Sequence, residues 1–419
     1  MERYIDLELL AVALGGIQNL PSNQELSKII SETEVNLLIS QGAVSNSLIE
    51  VAWYLFTIAS IKSANEIYGI KRKRAALQVA GHIFDLALVS NKHESHAKIR
   101  LVFASQIAYL KSQHQPNAIA IRKKHMREQE KFSLLPENYK ELSLNCGVAL
   151  LAFDIGYVYD LTAGLEEQAT SLAREWGVTS LYNTPFGAAF GLALGCRSLI
   201  NFLVYGRDSS FQKAKSCFLQ AANCTSAYED TDCIWMATLL HGLADELYAT
   251  SIWKVLPADV PYHVKRAFTL GSPRVLSLWP PQIDYLGQHN PFADEARFQF
   301  LSTPTSGGKT LLAQVLIAHH LSTRLTSACY IAPTRSLCRE VAASMKDRLR
   351  FLNLRSQIRE AIEDFDLEEN DIIEPSIDIL TPESLAGLLR RDPAAVYNKY
   401  GLFVFDEVHA VGDIGRGWT

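Results

Sequence analysis

One short stretch constrains this chain more than any other. Thr303 to Thr310 reads T-P-T-S-G-G-K-T. It stands between Phe298–Ser302 (F-Q-F-L-S), which reads as a short strand, and Leu311–His320 (L-L-A-Q-V-L-I-A-H-H), which reads as a helix. A strand, a glycine-rich turn and a helix N-terminus in that order bring free N–H groups and the positive end of a helix dipole to one point, an arrangement that favours an anion. The stretch fits the phosphate-cradling pattern G-x-x-x-x-G-K-[ST], except that Thr303 stands at the first glycine. Gly307 and Gly308 let the backbone turn tightly, Lys309 has the reach for β- and γ-phosphates, and the Thr310 hydroxyl is a magnesium ligand in such loops. Thr303, Pro304, Thr305 and Ser306 complete the expected nucleotide-binding loop.

A second element answers the first. Gly401–Phe405 (G-L-F-V-F) is an apolar run of the kind that forms a buried parallel strand, and Asp406–His409 (D-E-V-H) follows it. At the end of such a strand Asp406 is placed to hold Mg²⁺ through water, and Glu407 to polarise an attacking water. Together the two elements predict a domain that handles ATP and magnesium.

Further segments fall in the order found in superfamily 2 helicases. Leu278–Leu286 (L-W-P-P-Q-I-D-Y-L) resembles the adenine-reading segment of that superfamily, with Gln282 as the reader; a Gln amide can pair with adenine's N6 and N7 edge. Ala332–Leu337 (A-P-T-R-S-L) looks like motif Ia, and Leu380–Leu385 (L-T-P-E-S-L) like motif Ib. With Gly412, Asp413, Arg416 and Gly417, the string beginning at Asp406 is similar to the Ski-like, D-E-V-H branch. The resemblance implies catalytic roles for Lys309, Asp406, Glu407 and His409. It implies nucleic-acid contacts from Pro333, Thr334, Arg335, Thr381, Pro382 and Glu383; these motifs do not distinguish DNA from RNA, and DNA is the expected partner. It covers the chain from about Pro273 onward. Ser336–Arg339 (S-L-C-R) departs from the usual E-L-A-x-Q. The third motif and second RecA-like domain of such motors are not in the sequence, so the chain is expected to be the N-terminal portion of a longer enzyme and to turn ATP over poorly alone.

Residues 1–256 carry helical spacing instead of strand alternation. Leu7, Leu10, Val12, Leu14 and Ile17 suggest one amphipathic helix, and Leu77, Ala80, Ile83, Phe84, Ala87 and Leu88 another. Leu144–Leu161 and Gly187–Tyr205 read as central buried helices; Phe211 to Ala222, followed by Trp235 and Leu239, suggests a helix pair. No 34-residue period marks a tetratricopeptide array. The expected fold is therefore multidomain, α plus α/β: an irregular all-helical domain over 1–256, a Pro-rich connector with the adenine-reading segment over 257–281, and an incomplete first RecA-like domain over 282–419.

Charge and cysteine usage narrow the partners. The net charge is −5. From Gly271 onward, 15 Lys and Arg stand against 19 Asp and Glu, so this part is not a strongly basic surface that binds nucleic acid nonspecifically. Lys71–Arg74 and Arg122–Arg127 are basic clusters; each reads as a solvated helix face, or as a rim for nucleic acid or an acidic partner. The acidic run Glu360–Glu374 reads as a solvated surface segment. Seven cysteines with no C-x-x-C pair predict reduced, buried thiols in a cytoplasmic protein. Cys217, Cys224, Cys233 and His241 lack the paired short spacings of a zinc site. The apolar Ile49–Ala64 stretch is too short for a membrane span and carries Glu50 and Lys62, so no membrane is expected. Two functional readings remain: part of a nucleic-acid-dependent ATPase, or an interaction module whose helical region docks a protein such as a nuclease. A long helical prefix on a Ski-like motor also resembles bacterial anti-phage helicases of the Hachiman type.

Overall fold

A computed structural model describes residues 21–39, 43–60, 64–90, 95–126, 131–179, 181–224, 230–289, 291–292, 298–301, 308–352, 358–360 and 375–407. Two compact units divide it. The first holds residues 1–202 and 206–248, the second 203–205 and 249–419. The Leu7–Ile17 helix expected from sequence lies outside the described residues.

Every regular element among the described residues of the first unit is a helix. Ala76, Leu77, Ala80, Ile83, Phe84, Ala87 and Leu88 are all buried along the Ala64–Ser90 helix, the i, i+3, i+4 stripe that an amphipathic helix must bury. This helix is interrupted at Gly69, whose φ of 74° and ψ of 154° are not helical. Trp53, Phe56, Phe84, Phe103 and Trp235 form an aromatic cluster with ring centroids 4.7–6.5 Å apart. Leu144–Leu161 is not one helix. It breaks into Tyr139–Leu151 and Ile155–Leu161. Phe153 at the break has a φ of 53°, and the Asp154 side chain accepts the N–H of Tyr157, which starts the second helix. Gly187–Tyr205 is the expected apolar helix, and 89% of its most hydrophobic window is buried within the protein. It is long and apolar enough to span a membrane, but here its apolar surface is packed against other helices. A Cβ at Gly195 would sit 2.5 Å from the ring of Phe218, so this close helix crossing requires glycine.

The second basic cluster faces inward to a large degree. Arg122 is 7% exposed, ion-paired to Asp154, and lies over the Tyr157 ring at 4.6 Å. Lys124 and His125 both bond Asp85, at 2.8 and 2.7 Å. These pairs stitch helices together, so the cluster is not simply a solvated face or an open rim; Lys123 remains exposed and Arg127 lies outside the described residues. Of Lys71–Arg74, Lys71 is exposed, and Arg72 donates from Nε to the Pro21 carbonyl at 2.8 Å. All seven cysteines are free and buried, and no group of three His, Cys, Asp or Glu among the described residues could hold a metal ion.

The second unit is built on a parallel sheet of order β2-β3-β1-β4, with β1 at Ser327–Ile331, β2 at Ile358–Glu360, β3 at Ile377–Leu380 and β4 at Tyr400–Phe405. Side-chain alternation divides β1 between two cores. Ala328 and Tyr330 join Leu312, Val315, Val341 and Met345 of the Lys309–Thr323 and Arg335–Leu349 helices. Cys329 and Ile331 join Leu385, Leu388 and Val396 of the Pro382–Arg391 and Pro393–Lys399 helices. The sheet is therefore covered on both faces, as all-parallel sheets require. The proline-rich stretch contains the Tyr262–Leu270 helix, whose Val264, Ala267 and Phe268 are buried in the first of these cores.

Two sequence expectations need correction or restriction. The strand expected over Phe298–Ser302 does not form over 298–301: Phe298 and Phe300 are 89% and 90% exposed, and no described strand pairs with them. Apolar composition alone does not make a strand without an edge to pair with. Of the acidic run, Glu360 ends β2, and residues 361–374 lie outside the described residues.

Candidate functional site

Parallel pairing brings three chain segments to one end of the sheet. Ile331 pairs with Leu380 on one side and with Phe405 on the other. The residues that follow these three, Ala332–Arg335, Thr381–Glu383 and Asp406–Glu407, therefore leave the carboxyl ends of adjacent strands, where ligands bind in open α/β sheets. The Asp406 N–H donates to the Ile331 carbonyl at 2.9 Å and extends that pairing by one residue.

The Lys309–Thr323 helix delivers the cation. Gly308 caps it with φ 75° and ψ 30°, a left-handed conformation suited to glycine. A Cβ there would lie 2.0 Å from Gln282 Nε2, so glycine is needed for space as well. Lys309 Nζ stands 3.9 Å from Glu407 Oε1, with both side chains partly exposed. Thr310 is exposed in the first turn. The carboxylate Asp406 is held on both oxygens: Oδ2 accepts from the Tyr330 hydroxyl at 2.6 Å and Oδ1 from the Glu407 N–H at 3.0 Å. Glu407 itself has a φ of 52°, uncommon for a residue with a side chain. Burial first, and then the bond to Asp406, push the Tyr330 phenol far above its usual range, so it stays a donor.

Gln282 is 3% exposed and its amide is engaged. Oε1 accepts the Trp279 N–H at 2.9 Å, capping the Pro280–His289 helix, and Nε2 donates to the Gly308 carbonyl at 3.4 Å. The approach to this helix is anchored by an antiparallel bridge from Ser251 to Ser277 and by the Leu278 N–H on the Thr250 carbonyl. Thr334 and Thr381 use their hydroxyls as N-caps, accepting from Leu337 N and Ser384 N, both at 3.3 Å. Arg335 and Glu383 are exposed beside them, and Pro333 and Pro382 are half-buried. Thr303, Pro304, Thr305, Ser306, Gly307 and His409 lie outside the described residues, as do Gly412, Asp413, Arg416 and Gly417.

Sequence reasoning missed Tyr330 in the site. Its place in the apolar A-C-Y-I run marked it as core, and its only signal was a phenol on a strand whose neighbour ends in Asp406. It also missed the buried group beneath the sheet. There Asp378, fully buried, accepts from Tyr400 at 2.6 Å and pairs with Lys399 at 2.9 Å.

Known proteins are similar to parts of this chain. An ATP-dependent DNA helicase Hel308 of Thermoplasma acidophilum is 40% identical over 119 residues, covering 28% of this chain and 17% of the helicase. The protein of the same name in Pyrococcus abyssi is 31% identical over 142 residues, covering 34% and 19%. The Hachiman protein HamB of Bacillus cereus is 25% identical over 225 residues, covering 51% of this chain and 19% of HamB. The chain thus spans less than a fifth of the length of these relatives. Residues 290–419, about a third of the chain, match the DEAD/DEAH box helicase family model.

Proposed function

We propose that this chain provides the ATP- and magnesium-binding domain of a nucleic-acid helicase of the Ski-like branch, coupled to nucleic-acid contacts along the same sheet edge. One observation carries the reading: Lys309 meets Glu407 at the end of β4, and Thr334–Arg335 and Thr381–Glu383 leave the same ends of β1 and β3. The oxygen groups this reading assigns to the ion are a carboxylate and a threonine hydroxyl, hard ligands that suit Mg²⁺. Bound there, Mg²⁺ would neutralise charge on the phosphates. Asp406 and Thr310 hold the ion, Gly308 and Lys309 bind phosphate oxygens, and Glu407 takes the proton side of the attacking water. Gln282 reads adenine from its place against Gly308, and His409 completes the catalytic set. Pro333, Thr334, Arg335, Thr381, Pro382 and Glu383 contact the nucleic-acid backbone. DNA is the favoured strand because the Hel308 relatives are DNA helicases.

Titration of a fluorescent ATP analogue against the wild type and Lys309→Ala, with single-stranded DNA present and absent, tests this reading. The expected result is magnesium-dependent binding that weakens at least tenfold in the variant. Equal binding by both proteins would remove the site from this loop.

A second feature favours a role in antiviral defence. The alignment with HamB spans 51% of this chain, more than residues 290–419 can supply, so it extends upstream of the helicase-type domain. On this reading the helical unit docks a protein partner such as a nuclease, in the cytoplasm. Co-purification from the native host with and without the helical unit tests it, and unchanged partners would refute it.

A further inference from the structure

Tyr330 donates to Asp406, the carboxylate read above as the magnesium-holding group. It sits in the central strand β1, 1% exposed, with its ring in the core that contains the Lys309–Thr323 helix. From there its hydroxyl reaches out of the core to Asp406 Oδ2 at 2.6 Å, the length of a strong charge-assisted bond. Asp406 is on the adjacent strand's end, and its second oxygen is tied to the Glu407 N–H at 3.0 Å. A carboxylate otherwise turns freely over a broad torsional range. Held at both oxygens, it has one orientation. Each oxygen keeps a further lone pair for an outside ligand, so the bonds orient the group without consuming it.

We propose that Tyr330 is a positioning residue that sets the Asp406 carboxylate for the hydrated magnesium of a bound nucleotide. This rests on the reading that Asp406 holds that ion. The ring is held in the core and the hydroxyl donates to Asp406 Oδ2, so the donor is fixed in place by packing. A serine or water could make the same bond, but neither would be fixed by a ring packed into the core, and a loosely held donor would not set an angle.

The test uses the full chain and a fluorescent ADP analogue. Half-saturating Mg²⁺ for nucleotide binding is measured in the wild type, Tyr330→Phe, Asp406→Asn and the double variant. Phenylalanine keeps the ring, so nucleotide affinity in EDTA should stay within about twofold. The half-saturating Mg²⁺ should rise about tenfold, the low end of what removing an outer partner of a metal ligand costs. In the Asp406→Asn background the same change should add little, because its target is gone. Unchanged Mg²⁺ dependence in Tyr330→Phe overturns the proposal, as does an equal rise in the Asn background. A Tyr330→Phe protein that fails to fold also overturns it, since the hydroxyl would then serve the fold. If wild-type nucleotide binding does not respond to Mg²⁺ at all, the magnesium reading of Asp406 fails first, and that outcome is separate from any effect at Tyr330.

Discussion

Glu407→Gln should tighten nucleotide binding when magnesium is absent. In the described site the phosphate-loop cation already has a partner, with Lys309 Nζ 3.9 Å from Glu407 Oε1. A phosphate group must draw Lys309 away from that carboxylate before it can use it. At an effective dielectric of about 20, two unit charges at this distance attract by about 4 kcal/mol. The side chains are 27% and 33% exposed, so water and lost side-chain freedom reduce the net value to that of an ordinary surface pair, about 0.2–1 kcal/mol. Releasing it corresponds to about 1.4- to 5-fold tighter binding. Lys309→Ala should move affinity the other way, by at least tenfold, because it removes a charge-assisted phosphate contact of about 1.5–3 kcal/mol. Titration of a fluorescent ATP analogue in EDTA reads both signs. Weaker or unchanged binding by Glu407→Gln would show that the pair does not compete with phosphate. With magnesium and ATP restored, the same variant should bind without turnover, since the water-polarising group is gone.

Gln282→Ala should cost about 0.5–2 kcal/mol in urea denaturation through loss of the Trp279 cap, and should narrow any preference for ATP over GTP by about 1–3 kcal/mol; a wild type with no preference would remove Gln282 from adenine reading. Lys399→Met leaves the Asp378 carboxylate fully buried without its cation and should destabilise the second unit by about 3–5 kcal/mol, seen as a lower urea midpoint. Asp85 gives a pH dependence. Burial raises its pKa, but the bonds from His125 and Lys124 outweigh that and hold it below 3.8. A carboxylate depressed in the folded state contributes stability above its unfolded value, and that contribution is lost as pH falls through the folded value. Melting temperature should therefore drop more steeply below about pH 4 in the wild type than in Asp85→Asn; parallel curves would refute the link.

Residue order alone pointed to the acidic strand end and to a parallel sheet, and both are found; of the expected phosphate loop only Gly308–Thr310 fall within the described residues. These are local patterns: Gly308-Lys309-Thr310 before an apolar helix, and Asp406-Glu407 after an apolar strand, each require their neighbours in the chain and little else. It also marked the apolar stripe from Leu77 to Leu88 and the buried Gly187–Tyr205 helix, because burial periodicity is written in residue order. Other features arise from packing between segments far apart in the chain. Tyr330 meets Asp406 because β1 and β4 pair in parallel in one register, which no window of residues around Tyr330 encodes. The Gln282 amide donates to the Gly308 carbonyl, 26 residues further along the chain, a contact that no local window encodes. Arg122, Lys124 and His125 looked like a basic face, and their partners Asp85 and Asp154 lie on other helices, so the packing turned part of that charge inward. Phe298–Leu301 had strand composition but no paired edge, because a strand is defined by its neighbour as much as by its own residues.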